Sequence, residues 1–402
     1  MYTRQQKPKK VIGIVAISLV LILLIGTVQV FRPLPAIEIT ATALPNQQML
    51  AQPLAWPKDG ESAVEIQGVA NMLTSGKQQI IPTASIAKLI TCLTVLQVKP
   101  LNLGEIGPPI TLTQSDLDIY NDYLAKGGSV VNVAPGEIIN EYQALQAMLL
   151  PSANNIADSL AIWAYGSLSA YKAAATQYLE QQGLNSTTIG SDASGLSPDT
   201  TSTPTDIVHL GELAMANPVI AQIVAQSSAT IPIQGTIHNA DYLLGKDGII
   251  GIKTGNNNQV RGNFVFAASD TVASGKTVTI VCAIMNQGSL SEALNDALPL
   301  IDSVKANLYI TTPIQAGQTI ATYHAPWGAT ATAVAAKQLS FVAWKGTPIA
   351  PRVSLQRTNL DYTKGAAMGT IAAMGGTASG STNIILTSTI TSPAIRWRLT
   401  RH

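Results

Sequence analysis

Pro82-Thr83-Ala84-Ser85-Ile86-Ala87-Lys88-Leu89 leads into an apolar run, Leu89, Ile90, Cys92, Leu93 and Leu96, at helical spacing. That pattern predicts a helix starting near Ser85, with Pro82 just ahead of it and Thr83 as its cap. Ser85 and Lys88 then stand three residues apart on one helical face. A serine hydroxyl is a weak nucleophile until a base takes its proton. A lysine one turn away serves as that base when burial and a neighbouring cation lower its pKa. The helix start also puts Ser85 at the positive end of the helix dipole, where an oxyanion is favoured. Ser-x-x-Lys by itself is more often a solvated turn of helix than a catalytic pair, so the rest of the chain decides.

The 402 residues allow two or three domains. A formal net charge of +1, with 12% charged and 5% aromatic residues, offers nucleic acid neither a basic field nor stacking platforms. Arg4, Lys7, Lys9 and Lys10 precede an uncharged apolar run from Val11 to Val28. The run is long enough to cross a bilayer, and the charges before it predict a cytoplasmic N-terminus. A cleaved signal peptide is the alternative, but it has a shorter apolar region and a small-x-small cleavage site, which Val28-Gln29-Val30-Phe31 does not supply. Either way the remainder is expected outside the cytoplasm. There Cys92 and Cys282 are able to pair, although each lies in an apolar run, where a buried free thiol is commoner. His209, His238, His324 and His402 show no metal-ligand spacing, and neither a metal nor a cofactor is expected.

Organisation follows from the pattern: a basic tail (1–10), a membrane anchor (11–31), a Pro- and Thr-containing linker (32–47), a catalytic domain (48–308) and a C-terminal β-sandwich (309–402). In the catalytic domain, strands are expected at 63–72, 110–113, 130–133, 249–252, 264–268 and 278–285. Helices are expected at the Ser85 motif, before Pro151, at 156–165 and 168–182, after the cap Thr203-Pro204-Thr205-Asp206, and at 291–307. Strands framing a run of helices make this domain α+β, with a mainly antiparallel sheet and a helical cluster. Beyond Thr311 short alternating segments, the last at 394–399, are split by Gly and Pro and include no helix of note, which suggests an all-β sandwich.

Two further motifs carry chemistry. Pro151-Ser152-Ala153-Asn154-Asn155 follows an apolar helix, where Ser152 is placed to relay a proton and Asn154 to bind a substrate amide and a lysine. Lys253-Thr254-Gly255 ends a predicted strand. Lys253 supplies a fixed positive charge that depresses the pKa of Lys88 and attracts a carboxylate. Thr254 hydrogen-bonds that carboxylate, and Gly255 clears room for a ligand backbone beside the strand edge. Each motif alone is ordinary loop or strand chemistry. Their joint order, Ser85-x-x-Lys88, Ser152-x-Asn154, Lys253-Thr254-Gly255, is the motif set of acyl-serine enzymes that react with β-lactams.

With these motifs the chain resembles the low-molecular-mass penicillin-binding proteins of the D-alanyl-D-alanine carboxypeptidase type. The resemblance covers about 48 to 308 and includes Leu149-Leu150-Pro151-Ser152-Ala153-Asn154-Asn155, Ser191-Asp192-Ala193-Ser194-Gly195-Leu196 and Gly251-Ile252-Lys253-Thr254-Gly255. Residues 313 to 346 look, more loosely, like the β-rich C-terminal domain of the same enzymes. The resemblance implies a β-lactamase/penicillin-binding-protein-like fold. It implies that Ser85 attacks the penultimate D-alanine carbonyl of a peptidoglycan stem peptide while Lys88 takes its proton. The backbone N–H groups of Ser85 and Asn256 would form the oxyanion hole, Ser152 and Lys253 would help protonate the departing D-alanine, and penicillins would acylate Ser85. Relatives often carry an arginine for the substrate carboxylate near the start of the last catalytic-domain helix, and the stretch 286–292 has none. Arg261, where relatives usually have glycine, is expected either to take over part of that binding or to be a solvated loop arginine. Relatives also often carry a C-terminal amphipathic membrane helix, for which Ile395 to His402 is too short.

Competing readings are weaker. No Gly-x-Ser-x-Gly elbow supports a Ser-His-Asp hydrolase, and Asp206 with His209 reads as a capping or solvated pair. A class A β-lactamase would have Asp at the position of Ala153 and a glutamate between Gly183 and Pro204, and neither is present. Endopeptidase action on crosslinks and a catalytically silent cell-wall or β-lactam binding module stay open.

Overall fold

The computed structural model describes residues 8–256, 261–273, 275–356 and 362–401. Arg4, Lys7 and His402 lie outside these. A five-stranded antiparallel sheet carries the part of the chain that holds the Ser85, Ser152 and Lys253 motifs, in the order Ile249–Gly255, Gly262–Val272, Lys276–Gln287, Glu61–Ile66, Ala70–Ser75. Its central strands are apolar on both faces because both faces are covered. Val265, Ala267, Val281 and Ala283 face a large helical cluster. Their neighbours Phe264, Phe266, Ile280 and Cys282 face the helix Leu290–Lys305. This is the period-two alternation of a strand with two buried sides. Truncating a fully buried phenylalanine such as Phe264 or Phe266 to alanine would cost about 3–5 kcal/mol.

The helical cluster includes Ala87–Val98, Gln114–Ala125, Glu141–Leu149, Asn154–Tyr165, Leu168–Gln181 and Pro204–Ala216. Thr203 caps the last of these through its hydroxyl, which accepts from Asp206 N–H at 3.2 Å. Gly211 lets that helix lie close on the sheet, where a Cβ would meet Val281 at 2.9 Å. One expected strand is absent in this region, and one helix was not expected. Residues 130–133 are not a strand; the Asn155 side chain instead pairs with both backbone groups of Val131. Residues 114–125, unassigned by pattern, form a helix closed by a capping box between Thr113 and Asp116. Cys92 and Cys282 are both free and buried.

The β-sandwich packs a six-stranded sheet against the two-stranded pair Leu308–Ile314 and Leu339–Trp344. That pair faces two ways. Leu339, Phe341 and Ala343 enter the sandwich core, whereas Val342 and Trp344 enter the core beneath the catalytic sheet. The segment 32–47, expected to be a free linker, contributes the edge strand Glu38–Ala41 to the six-stranded sheet, paired with Ala321–His324. Thr42 and Gln47 continue the attachment through backbone hydrogen bonds to Ile320 and Ile349. The stretch 394–399, expected to be a strand, lies instead in a short helix, Ile395–Thr400, against the far end of the long apolar helix Pro8–Phe31. Val11–Phe31 is 21 residues of apolar helix, none of it buried in the protein. At 1.5 Å per residue that is about 31 Å, the thickness of a bilayer's hydrocarbon core.

Candidate active site

Ser85 lies in a single 3-10 turn, Ala84–Ile86, which runs directly into the helix Ala87–Val98. Thr83 does not cap it. Its hydroxyl donates to the carbonyls of Thr200 and Ala84, and its N–H bonds Thr200 O at 2.9 Å. Asn263, on the strand beside Gly255, donates to the Pro82 and Thr83 carbonyls at 3.0 and 3.2 Å. Two glycines press on the turn. A Cβ on Gly195 would enter the Ala84 carbonyl oxygen, and one on Gly255 would lie 2.8 Å from the Thr83 carbonyl oxygen. The room expected at Gly255 therefore serves packing of its strand against the Ser85 turn. Ala84 adopts φ 48°, a left-handed conformation unusual for a residue with a Cβ. Such strain persists where surrounding contacts over-determine the backbone.

Lys88 is fully buried beneath this turn. Its Nζ has three neighbours: Ser85 Oγ at 2.8 Å, Asn154 Oδ1 at 2.6 Å and the Ser194 carbonyl oxygen at 2.9 Å. The last two can only accept. A neutral amine has two N–H groups and one lone pair, so once both N–H groups are engaged the lone pair points at the serine hydroxyl. The electrostatics favour that form. Burial lowers the Lys88 pKa well below the ordinary value, Lys253 lowers it further, and Asp192 and Asp158 act in the opposite sense.

Ser194 belongs to a turn organised by two carboxylates. Asp192 Oδ1 accepts from the backbone N–H of Ser194, Gly195 and Leu196, and Oδ2 from Ser197 N–H. Asp158 accepts from Ala193 N–H and from the Tyr123 hydroxyl, and burial pushes its pKa up to about 6.

Ser152 is buried at φ 66°, and its Oγ has no hydrogen-bond partner among the described residues. Lys253 is buried on the edge strand, with Nζ 3.2 Å from the Thr254 carbonyl. Burial pushes its pKa down to about 7, against the pull of Asp241. Its charge is therefore titratable near neutrality and not fixed, as the motif alone suggested. A cleft of about 150 Å3 opens above these groups, lined by Ser85, Gly127, Gly128, Ser129, Asn154, Gly195, Leu196 and Asn256. Arg261 is exposed, one residue before the strand Gly262–Val272, and does not line the cleft. No cluster of metal-ligating side chains occurs among the described residues.

Residues 61–287, which hold every one of these groups, match the peptidase family described as D-alanyl-D-alanine carboxypeptidase. The chain belongs to that family. It is 32% identical over 208 residues to D-alanyl-D-alanine carboxypeptidase DacB2 of Mycobacterium tuberculosis, covering 50% of this chain and 67% of that one. Among solved structures it resembles penicillin binding protein 5 from Haemophilus influenzae, with a TM-score of 0.58, 17% identity and coverage of 87% and 100% of the two chains. It also resembles the Streptomyces K15 DD-transpeptidase, with a TM-score of 0.54, 21% identity and coverage of 66% and 100%. These likenesses bear on the fold, and they agree with the α+β domain read from the motifs. Sequence reasoning missed the Gly127-Gly128-Ser129 wall and the Ser194 carbonyl within the family's Ser-Gly-Leu turn. A signal for the wall existed: a Cβ on Gly128 would lie 2.6 Å from Asn154 Nδ2, so the Gly-Gly pair marks a close approach.

Proposed function

We propose that Ser85, Lys88, Ser152, Asn154 and Lys253 carry out the serine D-Ala-D-Ala carboxypeptidase reaction of this family on peptidoglycan stem peptides. The observation that carries the reading is the buried Lys88 amine, 2.8 Å from Ser85 Oγ and tied on its other two sides to obligate acceptors. Ser85 Oγ attacks the penultimate D-alanine carbonyl as its proton passes to Lys88 Nζ. The carbonyl electrons collect on oxygen, facing the backbone N–H groups of Ser85 and Asn256. Collapse of that intermediate breaks the C–N bond, and the departing D-alanine amine takes a proton relayed through Ser152. Water then cleaves the acyl-serine ester with Lys88 again as base. Lys253 in its charged form, with Thr254, holds the terminal carboxylate, and Arg261 is at most a peripheral contributor to that binding. β-Lactams are covalent inhibitors because they present the same carbonyl and carboxylate to the cleft.

The same proposal includes location and organisation. Helix 11–31 is a membrane anchor with the basic 1–10 segment cytoplasmic. The catalytic domain and the β-sandwich are extracytoplasmic. A signal sequence is the competing reading of that helix.

The test uses the full chain beside Ser85→Ala, with a labelled penicillin and a D-Ala-D-Ala peptide. Stable Ser85-dependent labelling with D-alanine release is the expected result. Rapid turnover of the label would indicate a β-lactamase, and no Ser85-dependent label would leave a silent binding module.

A further inference from the structure

The short helix Ile395–Thr400 lies against the last turns of the apolar helix Pro8–Phe31. Gly26, Gln29 and Val30, one face at spacing i, i+3, i+4, are the part-covered positions there, and a Cβ on Gly26 would touch Leu399. A helix ends with carbonyls that lack intrahelical partners and with partial negative charge. Two guanidinium groups take them up. Arg398 donates to Val30 O at 2.9 Å, and Arg401 donates to Gln29 O at 3.0 Å and to the Pro33 and Arg32 carbonyls beyond. Trp397 stacks edge-on against Trp327 of the β-sandwich at 5.7 Å and lies under the Arg401 guanidinium at 5.6 Å.

This joint is unusually basic for a nearly neutral chain. Arg32, Arg396, Arg398 and Arg401 are four of its eight arginines. No carboxylate pairs with any of them among the described residues, where the ion pairs are Lys126–Asp122 and His209–Glu212. Arg401 Nε is buried and has no hydrogen-bond partner among the described residues, and Arg32 is exposed. A cleft of about 430 Å3 opens between them, lined by Arg32, Pro33, Pro35, Pro326, Trp397 and Arg401. Exposed Ile395 and Leu399 stand on the same short helix.

We propose that this cleft binds the phosphate-bearing headgroup of an anionic phospholipid, so that the β-sandwich is docked on the membrane surface and not merely tethered above it. The reading rests on helix 11–31 spanning the membrane. The span then ends at the headgroup level, where arginine and tryptophan are favoured and where Leu399, about one turn deeper, meets acyl chain. A phosphodiester supplies acceptors for the exposed Arg32 fork, and its charge complements the unpaired cations.

The test uses the full chain in nanodiscs of phosphatidylcholine alone and of phosphatidylcholine mixed with phosphatidylglycerol. Lipid retained after mild detergent extraction is counted by native mass spectrometry, and hydrogen exchange is followed over 395–401. Arg32→Gln is the primary variant, because its side chain caps no carbonyl; Arg401→Lys keeps charge but removes the fork. Phosphatidylglycerol is expected to be retained in preference and to protect 395–401, with retention falling about five-fold in Arg32→Gln. Penicillin labelling at Ser85 should be unchanged, which shows the catalytic part folded. Equal retention of the two lipids, or no loss in Arg32→Gln, overturns the proposal. So does equal competition by inorganic phosphate, or preference for a soluble glycerol-phosphate polymer. Release of the chain from membranes by alkaline carbonate would instead overturn the spanning reading on which it rests.

Discussion

The Ser194 carbonyl oxygen lies 2.9 Å from Lys88 Nζ, so a backbone group orients the amine that faces Ser85 Oγ. That carbonyl is held by Asp192, which gathers four backbone N–H groups and the Ser194 hydroxyl on one carboxylate. Asp192→Asn replaces an acceptor oxygen with a donor and leaves some of those N–H groups unpaired. The expected outcome is a loss of about 2–3 kcal/mol in unfolding free energy. Penicillin acylation of Ser85 should slow about ten- to a hundred-fold as the amine loses its orientation. Denaturant unfolding and stopped-flow acylation check the two separately.

Gly195 and Gly166 form a matched pair. Both have a left-handed backbone, φ 77° and 82°, but Gly195 abuts Ala84 and Gly166 has open space where a Cβ would go. Gly166→Ala should cost only the conformational strain, about 1–2 kcal/mol, with acylation intact. Gly195→Ala should cost more than that and should displace the Ser85 turn, cutting acylation at least ten-fold. Equal effects in the two variants would separate Gly195 from the geometry of the nucleophile.

Acylation should depend on pH from both sides. As the proposed base, Lys88 would act only when neutral, so the rate should rise as pH passes upward through its depressed pKa. In the proposed carboxylate-binding role, Lys253 would bind only when charged, so the rate should fall as pH passes its pKa near 7. Lys253→Arg keeps the cation across the range, and the alkaline fall should move out of the neutral region. The measurement is the second-order acylation rate with penicillin against pH, compared between the two proteins.

The same lysine makes a stability prediction of opposite sign to a salt bridge. Its folded pKa, about 7, lies below its unfolded value of about 10.4. Below pH 7 both states are protonated and the folded state bears the full cost of the buried charge. Between pH 7 and about 10.4 the unfolded chain binds more protons, so stability rises with pH and the cost fades. Lys253→Met should therefore raise the Tm most below pH 7, with the gain shrinking towards pH 10, while carboxylate recognition is lost.

Lys88 needs Asn154 as well as Ser85. Asn154→Ala removes the acceptor at 2.6 Å, and the amine is left with one N–H unpaired in a buried site. The acylation rate should fall about a hundred-fold or more, and Asn154→Asp should restore little of it because a carboxylate there favours the charged amine. Acylation kinetics of the two variants at one pH check this.

Much of the site was legible because its chemistry lies in side chains at short spacing. Ser85 and Lys88 are one turn apart, and Ser152 and Asn154 flank a single residue. The parts that were not legible depend on backbone or on distance. The Ser194 carbonyl has no residue-type signature. Strand 38–41 has its partner at Ala321–His324, and no local pattern announces such a pairing. Ile395-Arg396-Trp397-Arg398-Leu399 alternates like a strand, yet it forms a helix in which Arg398, with Arg401 just beyond, closes the carbonyls of another helix. The helix 114–125 was missed for a different reason. Its capping residues Thr113 and Asp116 were visible, and only its thin apolar stripe hid it.

The pairing of Glu38–Ala41 with Ala321–His324 makes the catalytic part of the chain an insertion between two segments of one sheet. Synthesis runs from the first segment to the second, so the strand Glu38–Ala41 must wait for a partner that begins only at Ala321. The catalytic part has all its own strands by residue 287 and is free to fold during that wait. The six-stranded sheet then closes across the intervening strands and helices, at an entropic cost that grows only slowly with the length of the loop. A chain interrupted after the helix Leu290–Lys305 and before Ala321 would carry all five strands of the catalytic sheet together with an unpaired β-edge at Glu38–Ala41, the kind of edge that seeks other chains.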